Sequence, residues 1–169
     1  MKKTIFMLML TSVMLVSVSC STQQSAVQQE EERRTLVENV ENGRFTFNAN
    51  YVIPMGNFKS QYLTGSYDVK VTRDTVYSHL PYFGVAYEAP WNPSESPLVF
   101  NSTDFTYSYE QGNRTGSWVV NLQMKDRIRP IRYTFTIWEN GSANLVVWDS
   151  SRQSISFRGE MENTSSKGK

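Results

Sequence analysis

FTFNANYVI, Phe45 to Ile53, is where the periodicity of this sequence changes to two. Phe45, Phe47, Ala49, Tyr51 and Ile53 alternate with Thr46, Asn48 and Asn50, which is the pattern of a strand with one dry and one wet face. The same alternation returns in SYDVKVT (Tyr67, Val69, Val71), FTYSYE (Phe105, Tyr107, Tyr109) and SWVVNLQMK (Trp118, Val120, Leu122, Met124). It recurs again in RYTFTIW (Tyr133, Phe135, Ile137) and SISF (Ile155, Phe157), with Ser, Thr, Asn, Gln, Lys and Asp on the opposite faces.

Short turn signals separate these runs. Asn140-Gly141, between TFTIWE and SANLVVW, has the chemistry of a tight hairpin whose two central residues both need positive φ. Gly112-Asn113 and Arg73-Asp74 interrupt other runs, and Pro130 limits where the strand before Arg132 can begin. Short hairpins imply antiparallel neighbours. The expected fold is therefore mainly β, a single antiparallel meander of about eight strands curled into a small barrel or sandwich, with a short N-terminal helix. Its inward face is rich in large rings, which either fill a small barrel or line a ligand cavity.

Outward from this domain, the N-terminus MKKTIFMLMLTSVMLVSVSC joins Lys2 and Lys3 to an apolar run and small residues before Cys20. That is the form of an export signal, with an apolar core short for a membrane span. Cys20 is the only cysteine, so no intramolecular disulfide can form. The arrangement resembles a bacterial lipoprotein signal, although Ser17 stands where an apolar residue is usual. That resemblance implies a leader of residues 1–19, lipidation of Cys20 and a place at the membrane. Ser21 after the cysteine points to the outer membrane, with the protein facing the periplasm.

Residues 20–43 then form a polar tether and a short helix, in which Leu36, Val37 and Val40 make a narrow apolar stripe ending at Asn42-Gly43. The β domain is expected over 44–162, followed by a disordered tail at 163–169. Of the chain's 17 basic and 16 acidic side chains, Lys2 and Lys3 lie in the leader, so the mature charge is close to zero. No basic stripe of the kind nucleic acid requires is present.

LPYFGVAY at Leu80–Tyr87, its context from Phe58, and ENGSANLVVWDSSRQSISFRGEM from Glu139 resemble the Bacteroidetes lipoprotein family known as domain of unknown function 4251. The resemblance covers Arg44 to Met161 and departs at Val85, where an arginine is frequent in the family. It implies an envelope address and no catalytic residues.

Candidate contact residues cluster in YSHLPYFGVAY, Tyr77–Tyr87, which carries the only histidine, a proline, a glycine and four aromatic rings. Tyr82, Phe83 and Tyr87 are expected either to form a recognition platform at the end of the sheet or to fold back onto the core. Trp91 lies in a proline-punctuated loop that could add to the platform. His79 is one imidazole where zinc would need three or four ligands, so no metal and no cofactor are expected. Arg152 could clamp an anion with its planar fork or pair with Asp149. Asp74-Thr75-Val76 resembles a short O-glycosylation signal but is read first as an ordinary hairpin shoulder.

No nucleophile elbow, phosphate-cradling loop or metal rhythm is present, so an enzyme is not expected. The expected function is a non-catalytic envelope module that binds an apolar or amphipathic small molecule or envelope component. The alternative is an adaptor lipoprotein whose filled core leaves its surface to dock a protein partner.

Overall fold

A computed structural model describes residues 20–87 and 96–162. The expected leader (1–19), the expected tail (163–169), Trp91 and the side chains of residues 20–26 lie outside the described residues. One helix, α1 (Cys20–Glu41), is followed by nine antiparallel strands: β1 (Phe45–Pro54), β2 (Gln61–Val71), β3 (Val76–His79), β4 (Val99–Ser102), β5 (Phe105–Gln111), β6 (Ser117–Met124), β7 (Ile131–Trp138), β8 (Ser142–Asp149) and β9 (Ile155–Met161). They form one barrel-like sheet in the order β4-β3-β2-β1-β9-β8-β7-β6-β5.

The helix takes in the polar stretch read as a tether. It stops where Gly43, at φ +61°, turns the chain: Gly43 N–H donates to Val40 O (3.1 Å) and Arg44 N–H to Asn39 O (2.9 Å). A left-handed residue after the last turn satisfies the terminal carbonyls, and glycine adopts it without a Cβ clash. Leu36 and Val40, from the apolar stripe, are buried in the same core as the strands, and the Tyr107 hydroxyl donates to the Val40 carbonyl. Burial pushes the Tyr107 phenol well above its usual range. Among the described residues, no helix is long and apolar enough to cross a membrane.

Period-two burial holds in β6 to β9, where Val120, Leu122, Met124, Tyr133, Phe135, Ile137, Leu145, Ile155 and Phe157 point inward. It breaks in β1. Ala49 pairs with Gly159 of β9 and Tyr51 with Arg158, leaving Asn50 as an extra residue. This bulge turns Val52 and Pro54 inward and moves Tyr51 and Ile53 off the core face on which the alternation had placed them. On the other side, Leu63 to Ser66 of β2 stand between partners Tyr62 and Tyr67, opposite the same point of β1.

The β7–β8 hairpin also differs from expectation. Gly141 has φ +81° and no non-glycine among the described residues has positive φ, so Asn140 has a negative φ and the turn is not of the two-residue primed type. Gly141 N–H donates to Trp138 O (2.9 Å), which closes an ordinary turn before a left-handed glycine. The Asn140 side chain accepts from Ser142 N–H (3.1 Å) and Oγ–H (2.7 Å).

β4 and β5 run in the same direction with only Thr103 and Asp104 between them; β4 pairs with β3, and β5 with β6. They act as one kinked strand that joins the two ends of the strand order, so the nine strands curl into a nearly closed barrel whose β5 side stays unpaired. Asp126, in the β6–β7 loop, holds the kink: it accepts from Ser102 Oγ (2.6 Å), Thr103 N (2.9 Å) and Asp104 N (3.4 Å). The Ser102 hydroxyl is the main cause of the lowered carboxyl pKa, helped by the backbone N–H groups. A depressed native pKa stabilises the fold above the carboxyl's unfolded value, about 3.9, and that contribution disappears as pH falls through the native value. Asp126→Ala is expected to cost about 1 kcal/mol at neutral pH and to flatten the acid limb of the stability curve, checked by urea melts from neutral pH down to acid.

Rings pack edge-on through the interior: Phe45 and Phe47 of β1 meet Phe135 of β7 at 5.4 and 5.6 Å, and Phe100 of β4 lies 6.1 Å from Tyr133. Tyr133 is fully buried and its hydroxyl lies 2.8 Å from Ser78 Oγ on β3. Ser78 gives its own proton to the Leu98 carbonyl (2.7 Å), so Tyr133 is the donor to Ser78. Ser78→Ala therefore strands a buried phenol and should cost about 1–3 kcal/mol, whereas Tyr133→Phe leaves Ser78 bonded and should cost about 1 kcal/mol. Chemical denaturation of the two variants tests that order.

Candidate functional site

The residues singled out around Tyr77–Tyr87 fall into two groups. Tyr77 and His79 point outward from β3, and Val76 and Ser78 inward. The His79 ring is 5.6 Å from that of Tyr67, and its Nδ1 is 4.0 Å from Asp68 Oδ1. His79 is thus an exposed sheet residue, apart from the cluster described next.

Beyond His79 the chain leaves the sheet. Leu80 is fully buried, its N–H donating to Leu98 O (3.3 Å) and its carbonyl accepting from Ser96 Oγ (2.6 Å). Pro81 keeps Leu80 extended and contributes no donor. Leu80–Tyr87 then runs from the end of β3 to the turn between β8 and β9, with Tyr82 and Phe83 against the core, and forms a strap at that end of the barrel. Three residues of the strap pair with that turn. Gln153 N–H donates to Val85 O (3.1 Å), Ala86 is bridged to Arg152, and Tyr87 N–H donates to Ser151 O (2.8 Å).

Arg152 and the aromatic strap, far apart in the sequence, are therefore one site. The Tyr82 hydroxyl donates to Gln153 O (2.9 Å), with Val85 O at 3.2 Å, and the Gln153 amide oxygen accepts from Val85 N–H (3.2 Å). The Arg152 guanidinium sits 5.3 Å from the centre of the Tyr82 ring, and its Nε donates to Asp149 Oδ2 (2.8 Å). The other Asp149 oxygen accepts from Ser151 N and Oγ, both at 2.8 Å. Arg152 is thus held through its Nε by Asp149, with its guanidinium against the Tyr82 ring. Burial raises the Tyr82 pKa, the largest effect, and the nearby Arg152 charge opposes it.

Tyr82 and Phe83 are half-buried against the core, while Val85 and Tyr87 are 47% and 64% exposed. Beside them the β1–β2 loop brings Gly56, at φ +82°, against the Gln153 side chain and leaves Met55 and Phe58 exposed. The arrangement presents apolar side chains on a backbone tied at several points. Gln153, Asp149 and Met55 also belong to it. Among the described residues, no group of three or more His, Cys, Asp or Glu side chains could hold a metal ion.

No curated protein matches this chain. Among solved structures, the chain is similar to the crystal structure of a DUF4251 family protein from Bacteroides eggerthii DSM 20697, with a TM-score of 0.55 and 12% identity over 78% of this chain and 87% of that one. At that identity the likeness is one of fold. The sequence model of the family described as "Domain of unknown function (DUF4251)" matches residues 27–161, a span that takes in most of the helix as well as the nine strands. Its start agrees with the burial of Leu36 and Val40 in the strand core, and the chain belongs to the DUF4251 family.

Proposed function

We propose that this domain is a non-catalytic binding module of the cell envelope that meets an apolar or amphipathic envelope component at the strap end. The observation that carries the reading is the pairing of Val85–Tyr87 with Ser151–Gln153, which fixes the strap while Val85 and Tyr87 stay exposed. Preorganised apolar side chains lose little conformational freedom on binding. The rings of Phe45, Phe47, Phe135 and Tyr133 occupy the interior, which favours contact on the outside over capture in a central cavity. The same packing supports a second reading, an adaptor that docks a protein partner on this surface.

We place the module in the outer membrane, facing the periplasm, through acylation of Cys20 after removal of residues 1–19. Cys20→Ser should then release the chain from the membrane fraction. For the binding reading, the chain is purified from its own envelope and weighed by native mass spectrometry beside a Val85→Asp/Tyr87→Ala variant. A stoichiometric lipid-like or metabolite mass on the wild type alone is expected. A clean apo mass from a folded chain overturns it and turns the search to protein partners.

A further inference from the structure

We propose that β5 is the contact strand of a two-fold dimer in which a second copy of this chain continues the sheet. β5 ends the strand order and pairs with β6 through all seven residues, from Phe105 with Met124 to Gln111 with Trp118. The ladder fixes which backbone groups face away. Lys125 N–H donates to Asp104 O and Gly112 N–H to Ser117 O, both at 2.8 Å. In an antiparallel pair the N–H and C=O of one residue point to the same side, and the side alternates along the strand. Even-numbered residues therefore bond β6, and Phe105, Tyr107, Tyr109 and Gln111 turn theirs outward, where no backbone partner meets them among the described residues.

Edges are ordinarily guarded by a short strand, a bulge, proline or lysine. The other edge has such guards: β4 is four residues long and Asp126 caps the Thr103 and Asp104 amides that follow it. β5 has none of them. It is regular, contains no proline or lysine, and is exposed at Thr106 and from Ser108 to Gln111.

The sequence FTYSYEQ is complementary to itself about Ser108. A two-fold axis there sets Tyr107 opposite Tyr109 and Phe105 opposite Gln111 of the second copy. All four outward residues of each strand are then hydrogen-bonded. Shifting the axis to Tyr107 or Tyr109 leaves some of them unmatched, and the former also sets Asp104 against Glu110. In the Ser108 register Glu110 faces Thr106, and the Tyr107–Tyr109 pairs are of the aromatic cross-strand kind that stabilises sheets. An isologous contact of this type closes at two copies.

The test uses the chain from residue 20 onward, which carries every described element. Sedimentation velocity over a concentration series is expected to show a monomer–dimer equilibrium. Ser108 meets itself at the axis and its side chain is exposed, so Ser108→Lys and Ser108→Glu should each fold, by circular dichroism, and each lose the dimer through like-charge repulsion. Mixing the two should restore a one-to-one heterodimer. Tyr109→Pro removes an outward N–H without taking a bond from β6 and should also leave a folded monomer. A wild type that stays monomeric at all concentrations, charge variants that dimerise like the wild type, a mixture that stays monomeric, or capture of an extended segment of another protein by a monomeric chain would each overturn the proposal.

Discussion

Gly159→Ala is expected to destabilise the domain by about 3 kcal/mol or more, enough to remove a large share of the stability of a domain this size. A Cβ at this position would stand 2.8 Å from the Asn48 carbonyl carbon, closer still to its oxygen, and 2.9 Å from the Phe47 ring. The obstacle is backbone, so no side chain can swing aside. The reason lies in the register: Gly159 of β9 pairs with Ala49 of β1 on one side and Ala143 of β8 on the other. These three inward positions form a row of small residues, next to the bulge at Asn50, and β1 bends into the space they leave. The Phe47 ring lies beside the glycine, as rings do where a strand glycine leaves backbone uncovered. Gly141→Asn is the matched control, because nothing lies within 4 Å of a Cβ there and asparagine tolerates a left-handed φ. Urea melts should show a small change for Gly141→Asn and a large one, or no cooperative transition, for Gly159→Ala. Equal effects would mean that the bulge is not held by the glycine.

That glycine stands at the boundary of what could be read from sequence. Alternation in RYTFTIW and SISF gave the inward faces of β7 and β9, because those strands run without interruption between well-marked turns. In FTFNANYVI the alternation continued through Tyr51 and Ile53 by composition, while the chain inserted Asn50 and reversed its faces. Nothing in β1 reports this. The cause is a long-range match with Gly159 and Arg158, so the register has to be known first. The helix stop at Asn42-Gly43 was legible because its chemistry is local, and so was the pairing of Arg152 with Asp149, three residues away. That Arg152 would lie under Tyr82 was not, since it depends on the strap crossing the end of the barrel. The Asp126 latch was missed for the same reason: its partners Ser102 to Asp104 are more than 20 residues distant, and none of them departs from ordinary loop composition.

Phe135→Ala tests whether the interior is a packed core. Phe135 has no exposed surface, and its ring meets Phe45 and Phe47 of β1 and Tyr133 of its own strand, at centroid distances of 5.4, 5.6 and 6.4 Å. β1 and β7 are separated in the sheet by β9 and β8, so these contacts cross the barrel rather than follow its wall. Truncation removes the ring's burial and leaves a void that rings fixed by the surrounding sheet cannot collapse to fill, for a cost of about 3–5 kcal/mol. Phe58→Ala, at a ring 45% exposed in the β1–β2 loop, should change stability by about 0.5 kcal/mol or less. The void itself gives a second readout. An apolar cavity of this kind stays dry and accepts benzene, so benzene should raise the melting temperature of Phe135→Ala and leave that of the wild type unchanged. A wild type stabilised to the same degree would mean that the native barrel already holds space for an apolar guest, and the binding site would move from the strap to the interior.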